Sequence, residues 1–301
     1  PAGESPAKRQ LDSRGRSQAS LILQAIGSTT LSGPNAYEFI RTCLSHRPAT
    51  SRREVVQSFF ETSADWEGVC REARRHRVLP LFFHALEELL GTSLPSPIRK
   101  QIREHQRGVR IQNTFVVQEL EQVVGQFEEA EFPLLIVKGP VLAQTAYGDV
   151  ALRQSVDVDV TIPKDRFSEA DRLLREIGYE PAEKRKPLYG WRESFSRYLD
   201  GQWEFTRGAA FTLDVHTQLM PPGYSFPLDF HQFWERKRSV WLTDEVEVQG
   251  LSQEDQVLLL VYHGIKNQWR ALRHVVDIAS VIQSGENLDW TLLLSRTRRM
   301  N

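Results

Sequence analysis

The sequence predicts an α+β fold, with a short mixed sheet in the middle of the chain and helical segments on its N-terminal and C-terminal sides. Three observations carry this expectation. Apolar residues recur at helical spacing up to about Phe127. Short β-branched runs bounded by glycine and proline dominate from Leu134 to Leu219, and helical spacing returns after the segment MPPGYSFP. Helices, then strands and helices mixed, then helices again is the order of an α+β core with helical flanks.

The elements follow in order. Residues 1–20, PAGESPAKRQLDSRGRSQAS, are polar, bear Gly, Ser and Pro, and lack the apolar core of a leader, so a disordered tail is expected. Residues 21–130 read as a helical region. In PIRKQIREHQRGVRIQNTFVVQELEQVVGQF, the positions Ile102, Val109, Phe115, Val116, Leu120, Val123, Val124 and Phe127 share one helix face, and Pro97 suits a first turn.

Residues 131–220 form the expected α+β core. Leu134 to Val137 are a buried strand that ends in Lys138-Gly139-Pro140, and Pro140 is acceptable at the first position of a helix carrying Val141, Leu142 and Ala146 that stops near Gly148. In SVDVDVTIP, Ser155 to Pro163, alternation sends Val156, Val158 and Val160 to one face and Asp157 and Asp159 to the other. Phe167, Ala170, Leu173, Leu174 and Ile177 then make one apolar stripe ending at Gly178. Tyr189 to Leu199 and Phe211 to Leu219 have strand character, with Asp200-Gly201 as a turn between them. Residues 221–301 are expected to be helical, from QEDQVLLLVYHGIKNQ through ALRHVVDIASVIQS to DWTLLLSRTRRM.

Composition excludes several classes. With 38 Lys and Arg against 39 Asp and Glu, the net charge is −1, so there is no global field for nucleic acid or membrane, and an anion must be met by a local patch. Cys43 and Cys70 are the two cysteines and lack any paired spacing, which argues against a disulfide framework or structural zinc and points to a reducing cytoplasm. No apolar run reaches the length needed to cross a bilayer.

Like charges two residues apart on a strand repel unless something positive lies between them. Three carboxylates on neighbouring strands can hold a pair of Mg²⁺ (or Mn²⁺) ions, and a tight Gly-bearing turn at a helix N-terminus can receive triphosphate oxygens. Asp157 and Asp159 supply two acids, Asp214 in FTLDVHTQL a third with His216 on its face, and Lys138-Gly139 the turn. The chemistry such a set suits is phosphoryl or nucleotidyl transfer. Alone, D-x-D more often describes a solvated strand face.

The pattern K-G-x-x-L-A, then Y, R and D-x-D resembles the uncharacterised nucleotidyltransferases of the DNA polymerase β superfamily. It stands here as Lys138-Gly139-Pro140-Val141-Leu142-Ala143, Tyr147, Arg153 and Asp157-Val158-Asp159. The likeness continues through Gly178-Tyr179, Asp214-Val215-His216 and YHGIKNQWRALRHVVDIA, and covers most of the chain from about Leu79. It implies a minimal nucleotidyltransferase core and transfer of a nucleoside monophosphate from NTP with release of pyrophosphate. Asp157, Asp159 and Asp214 would be catalytic ligands of a two-ion Mg²⁺ (or Mn²⁺) site. Lys138, Gly139, Arg153, His263 and Lys266 would contact nucleotide. The wider superfamily usually has Gly-Ser where this chain has Lys138-Gly139, and a lysine ammonium is a reasonable substitute for a hydroxyl near phosphate.

The remaining residues keep two readings. Arg153 contacts phosphate or holds the acidic loop by an ion pair, and Asp277 pairs with Arg273 or serves as a base for the acceptor. His216 assists a metal or a substrate hydroxyl or, as the favoured reading, is a hydrogen-bonded structural histidine, and His263, Lys266 and Arg270 otherwise form a solvated basic face. The aromatics Tyr189, Trp191, Phe195, Tyr198, Trp203 and Phe205 suit a sheet core better than a stacking platform, and the arginines of ARRHR and of the long helix suit solvent. A small molecule or peptide is the favoured acceptor. An RNA-directed enzyme is disfavoured by the near-neutral charge, and a non-catalytic nucleotide-binding module by the clustered carboxylates.

Overall fold

The computed structural model describes residues 35–45, 47–61, 65–155, 157–182, 201–208, 211–219, 229–284 and 288–298. The expected tail at 1–20, the strand at 189–199 and most of the aromatic set lie outside them. In chain order come helices α1 (Ala36–Cys43), α2 (Ala49–Glu61), α3 (Trp66–Arg75), α4 (Leu79–Leu90) and α5 (Ser96–Glu129), then β1 (Leu135–Ile136), α6 (Pro140–Tyr147), β2 (Asp157–Thr161), α7 (Phe167–Glu176) and β3 (Glu180–Pro181). There follow β4 (Gln202–Arg207), β5 (Phe211–His216), α8 (Phe230–Glu235), β6 (Arg238–Trp241), β7 (Glu247–Gly250), α9 (Gln253–Lys266), α10 (Leu272–Ser284) and α11 (Trp290–Arg298). The fold is α+β, as the spacing predicts.

The chain divides into two compact units, one holding the described residues up to Val109 with Leu260–Thr291, the other Arg110–Leu259 with the residues from Leu292 on. The first is helical. Asn35 caps α1 by accepting from the Tyr37 N–H, and Asp65 caps α3 by accepting from the Gly68 N–H. Its core joins Phe39, Phe59, Phe82, Leu86 and Ile102 with Leu272 of α10, and the Phe39 and Phe59 rings stack 3.9 Å apart. His76 ties the two chain segments of this unit together, accepting from the Leu272 N–H through Nδ1 at 3.1 Å.

The second unit is built on a seven-stranded mixed sheet of order β3-β4-β5-β2-β1-β7-β6. One face carries Ile136, Val158, Val160, Phe205, Leu213, Val215 and Val248 and is covered by Val116, Leu120, Val123 and Phe127 of α5 and by Leu173 and Leu174 of α7. On the other face Leu135 and Val137 pack with Phe230 and Phe233 of α8 and with Leu251 and Leu259. Buried Tyr179 donates to Glu119 Oε2 at 2.8 Å, and Arg207 of β4 donates to the same oxygen, fastening the sheet to α5.

The segment 221–301 was expected to be helical, but it carries the hairpin β6–β7, whose β7 pairs in parallel with β1. Val240, Leu242, Val246 and Val248, all buried, supply the alternation that makes these strands. Trp203 stacks on Phe167 at 4.1 Å and Phe205 is 1% exposed, so the described members of the aromatic set are core residues. Cys43 and Cys70 are buried free thiols. Among the described residues no helix is long and apolar enough to cross a membrane.

Candidate active site

Strand pairing builds the site. β2 and β5 run parallel, with Asp159 opposite Asp214, Asp157 opposite Thr212 and Thr161 opposite His216. β4 lies antiparallel on the far side of β5, with Glu204 opposite Asp214 and Gln202 opposite His216. Partners in register point to the same face, so the valines and leucines of these strands enter the core while Asp157, Asp159, Asp214, His216 and Glu204 stand on the other side.

The polar contacts are specific. His216 Nε2 lies 3.0 Å from Asp159 Oδ1, and the His216 carbonyl accepts from the Thr161 hydroxyl and the Ile162 N–H, each at 3.0 Å. Gln202 Nε2 donates to Asp214 Oδ2 at 3.1 Å. One donor atom from each of Asp159, Asp214 and His216 can be chosen so that all lie within 4.8 Å of one another. Burial, the neighbouring Asp159 carboxylate and, more weakly, Asp157 and Glu204 push the Asp214 carboxyl up to about 6, opposed by His216. Asp157 shares the face but is exposed at the first position of β2, and its carboxylate is not part of that group.

The turn after β1 brings up a cation. The Val137 N–H donates to the Asp159 carbonyl at 2.9 Å, which holds the end of β1 against β2. Lys138 comes next, its Nζ 3.7 Å from Asp159 Oδ1. Gly139 then adopts φ 68° and ψ −132°, a backbone region open to glycine, as N-cap of α6. A Cβ there would sit 3.5 Å from the Asp157 carbonyl oxygen and 3.4 Å from Val158, so the backbone passes close over β2. Helix α6 closes on Gly148 at φ 74°.

Between α6 and β2 the loop bearing Arg153 is pinned to α5. Asn113, 1% exposed, donates to the carbonyls of Val150 and Arg153 and accepts from the Ser155 N–H, while Gln112 donates to the Ser155 carbonyl at 3.3 Å. Arg153 itself is 7% exposed.

The sequence profile of the uncharacterised nucleotidyltransferase family matches residues 62–301. The chain belongs to that family, and it is a nucleotidyltransferase. No curated protein is significantly similar to it. Among solved structures it is similar to the antibiotic-resistance factor ANT(2'')-Ia, at 17% identity and TM-score 0.43 over 62% of this chain and 92% of that one. A crystal structure of ANT(2'')-Ia with adenylyl-2''-tobramycin aligns at 18% identity and TM-score 0.43, over 62% and 99% of the two chains. The lincosamide antibiotic adenylyltransferase LnuA, lincomycin-bound, aligns at 16% and TM-score 0.36, over 57% and 96%.

Within the nucleotidyltransferase sheet, Lys138, Asp159, Asp214 and His216 are thus in one cluster, with Gly139 and Asp157 at its edge. His263 and Lys266 belong to the other unit, on α9. There His263 meets His274 edge-on, with ring centroids 5.5 Å apart, and Lys266 is exposed. Asp277, 3% exposed, lies 3.5 Å from the Arg273 guanidinium. Sequence reasoning did not select Asn113 or Gln202. Asparagine in the apolar stretch of a long helix was the available signal for the first; nothing local marks the second.

Proposed function

We propose that this nucleotidyltransferase is metal-dependent and moves a nucleoside monophosphate from NTP to a hydroxyl or phosphate of a small molecule or peptide, with release of pyrophosphate. One observation carries the reading. Asp159 and Asp214 stand opposite each other in a parallel register, with their donor atoms and that of His216 within 4.8 Å, and the Asp214 carboxyl is held up to about 6. A scaffold gains nothing from such repulsion, whereas a divalent cation relieves it.

The donor set fits a hard cation. Asp159 and Asp214 would hold it through oxygen, with Asp157 at the exposed rim completing the acids for a second ion beside the triphosphate. His216, donating from Nε2 to Asp159 Oδ1, would orient that carboxylate and leave its other oxygen for a cation. Bound Mg²⁺ or Mn²⁺ supplies triphosphate charge neutralisation and a lowered pKa for the acceptor hydroxyl. Lys138 and the backbone N–H groups of the first turn of α6, brought close to β2 by Gly139, receive phosphate oxygens. Arg153 adds a guanidinium from a loop that Asn113 keeps in place.

The near-neutral chain supports a small acceptor over a polyanion. The test is incubation with each α-labelled NTP, Mg²⁺ or Mn²⁺ and a metabolite extract, with Asp159→Asn as control. Label on a small acceptor, absent with the control, is the expected result. Label on RNA would redirect the acceptor assignment, and no transfer with any NTP and either ion would refute the reading.

A further inference from the structure

We propose that Lys138 is the built-in counter-cation of the acid cluster: it shares Asp159 with the divalent ion, opposes the bare ion, and passes to the triphosphate when nucleotide arrives. The inference rests on the metal-site reading above and adds an order to binding. Lys138 Nζ and Asp159 Oδ1 are 3.7 Å apart, with side chains 11% and 15% exposed, so the pair is far better shielded from water than a surface ion pair. The same Oδ1 is 3.0 Å from His216 Nε2.

On this face of β2, β5 and β4 stand Asp157, Asp159, Asp214 and Glu204, and the Lys138 ammonium lies beside the Asp159 carboxylate. The backbone fixes where the lysine starts. The Val137 N–H donates to the Asp159 carbonyl, and a Cβ added at Gly139 would meet Val158 at 3.4 Å, so the backbone on either side of Lys138 runs close to β2. Its ammonium stands at the end of a flexible four-carbon stem, so it can reach different oxygens from one backbone position.

The electrostatic consequence has a definite sign. A divalent ion bound by Asp159 and Asp214 would lie within a few ångströms of Nζ, where like charges repel strongly at low exposure. Lys138 therefore balances the acids but weakens their grip on a bare ion. A triphosphate reverses this, because it offers the ammonium new oxygens and leaves Asp159 to the metal. Free divalent ion binds weakly, and metal with nucleotide binds together.

Two measurements test this. In EDTA, a double-mutant cycle of K138M and D159N is followed by denaturant unfolding. K138M is expected to destabilise the parent and to have little effect in the D159N background, and additive effects would overturn the pairing. Mn²⁺ is then titrated calorimetrically without nucleotide. K138M is expected to bind the bare ion roughly three- to tenfold more tightly than the parent, with K138R close to the parent, and to lose affinity for a non-hydrolysable ATP analogue added with Mn²⁺. Bare-ion affinity that is unchanged, weaker, or undetectable in K138M overturns the proposal. Failure of the metal site itself has a different signature: D159N would then bind Mn²⁺ as well as the parent.

Discussion

Replacing Asp214 by asparagine removes one charge from the cluster while keeping an oxygen that accepts from Gln202 Nε2, now at 3.1 Å from the carboxylate. The Asp214 carboxyl is raised from its ordinary 3.8 to about 6 by burial and by Asp159, Asp157 and Glu204. A raised folded-state value means stability that is present below the unfolded value and lost as pH rises through about 6. At pH 7.5 the metal-free parent therefore carries a penalty. The gap of about 2 pH units at about 1.36 kcal/mol each gives a ceiling of about 3 kcal/mol, and screening at a partly exposed group lowers it to about 1–2 kcal/mol. In EDTA, denaturant unfolding should show Asp214→Asn more stable than the parent by that amount at pH 7.5. The difference should fall below half of that at pH 4.5. Adding Mn²⁺ and NTP should reverse the order, because the parent alone keeps the full acid set. A variant equally destabilised at both pH values would refute the reasoning, since it would make Asp214 a structural hydrogen-bond partner and not a strained charge.

Asp159→Asn should cut turnover at least about a hundredfold in a label-transfer assay while far-UV circular dichroism stays unchanged, because it weakens metal binding at the centre of the cluster. Lys138→Ala should raise the NTP dissociation constant about tenfold with kcat little changed, since a contact to a non-reacting phosphate is mostly uniform binding; an unchanged constant would contradict the phosphate role. His216→Gln, whose amide can still donate to Asp159, should keep more activity than His216→Ala; equal loss in both would show that a donor is not what the site needs. Asn113→Ala leaves one buried and one part-buried carbonyl and one buried N–H without their side-chain partner, and should cost about 2–3 kcal/mol in urea unfolding together with a fall in kcat/KM through the Arg153 loop.

Much of the site is legible along the chain because its determinants are local. Alternation alone puts Val158 in the core and both aspartates of β2 on the other face. Gly139 and Pro140 mark a turn into a helix because one tolerates positive φ and the other has no N–H to lose. Gly148 ends that helix in the left-handed conformation for the same reason. Asp214 and His216 share a face of β5 by the same period-2 rule.

What the chain order could not determine is which strands meet and in what register. Asp159 faces Asp214 only because β2 and β5 pair in parallel, and a slip of one residue would put Val215 there instead. The third close group is His216 and not the exposed Asp157, because His216 reaches across from β5 to Asp159 Oδ1, which strand periodicity cannot state. The β6–β7 hairpin has its own alternation, but its place beside β1 follows from burying Val240 and Val248 in the core shared with α5 and α7. Asn113 holds the Arg153 loop because α5 packs across the sheet. Residue type and local spacing thus determined which groups were available for chemistry, while long-range pairing and burial decided which of them stand within bonding distance, since those contacts exist only once distant segments have been brought together.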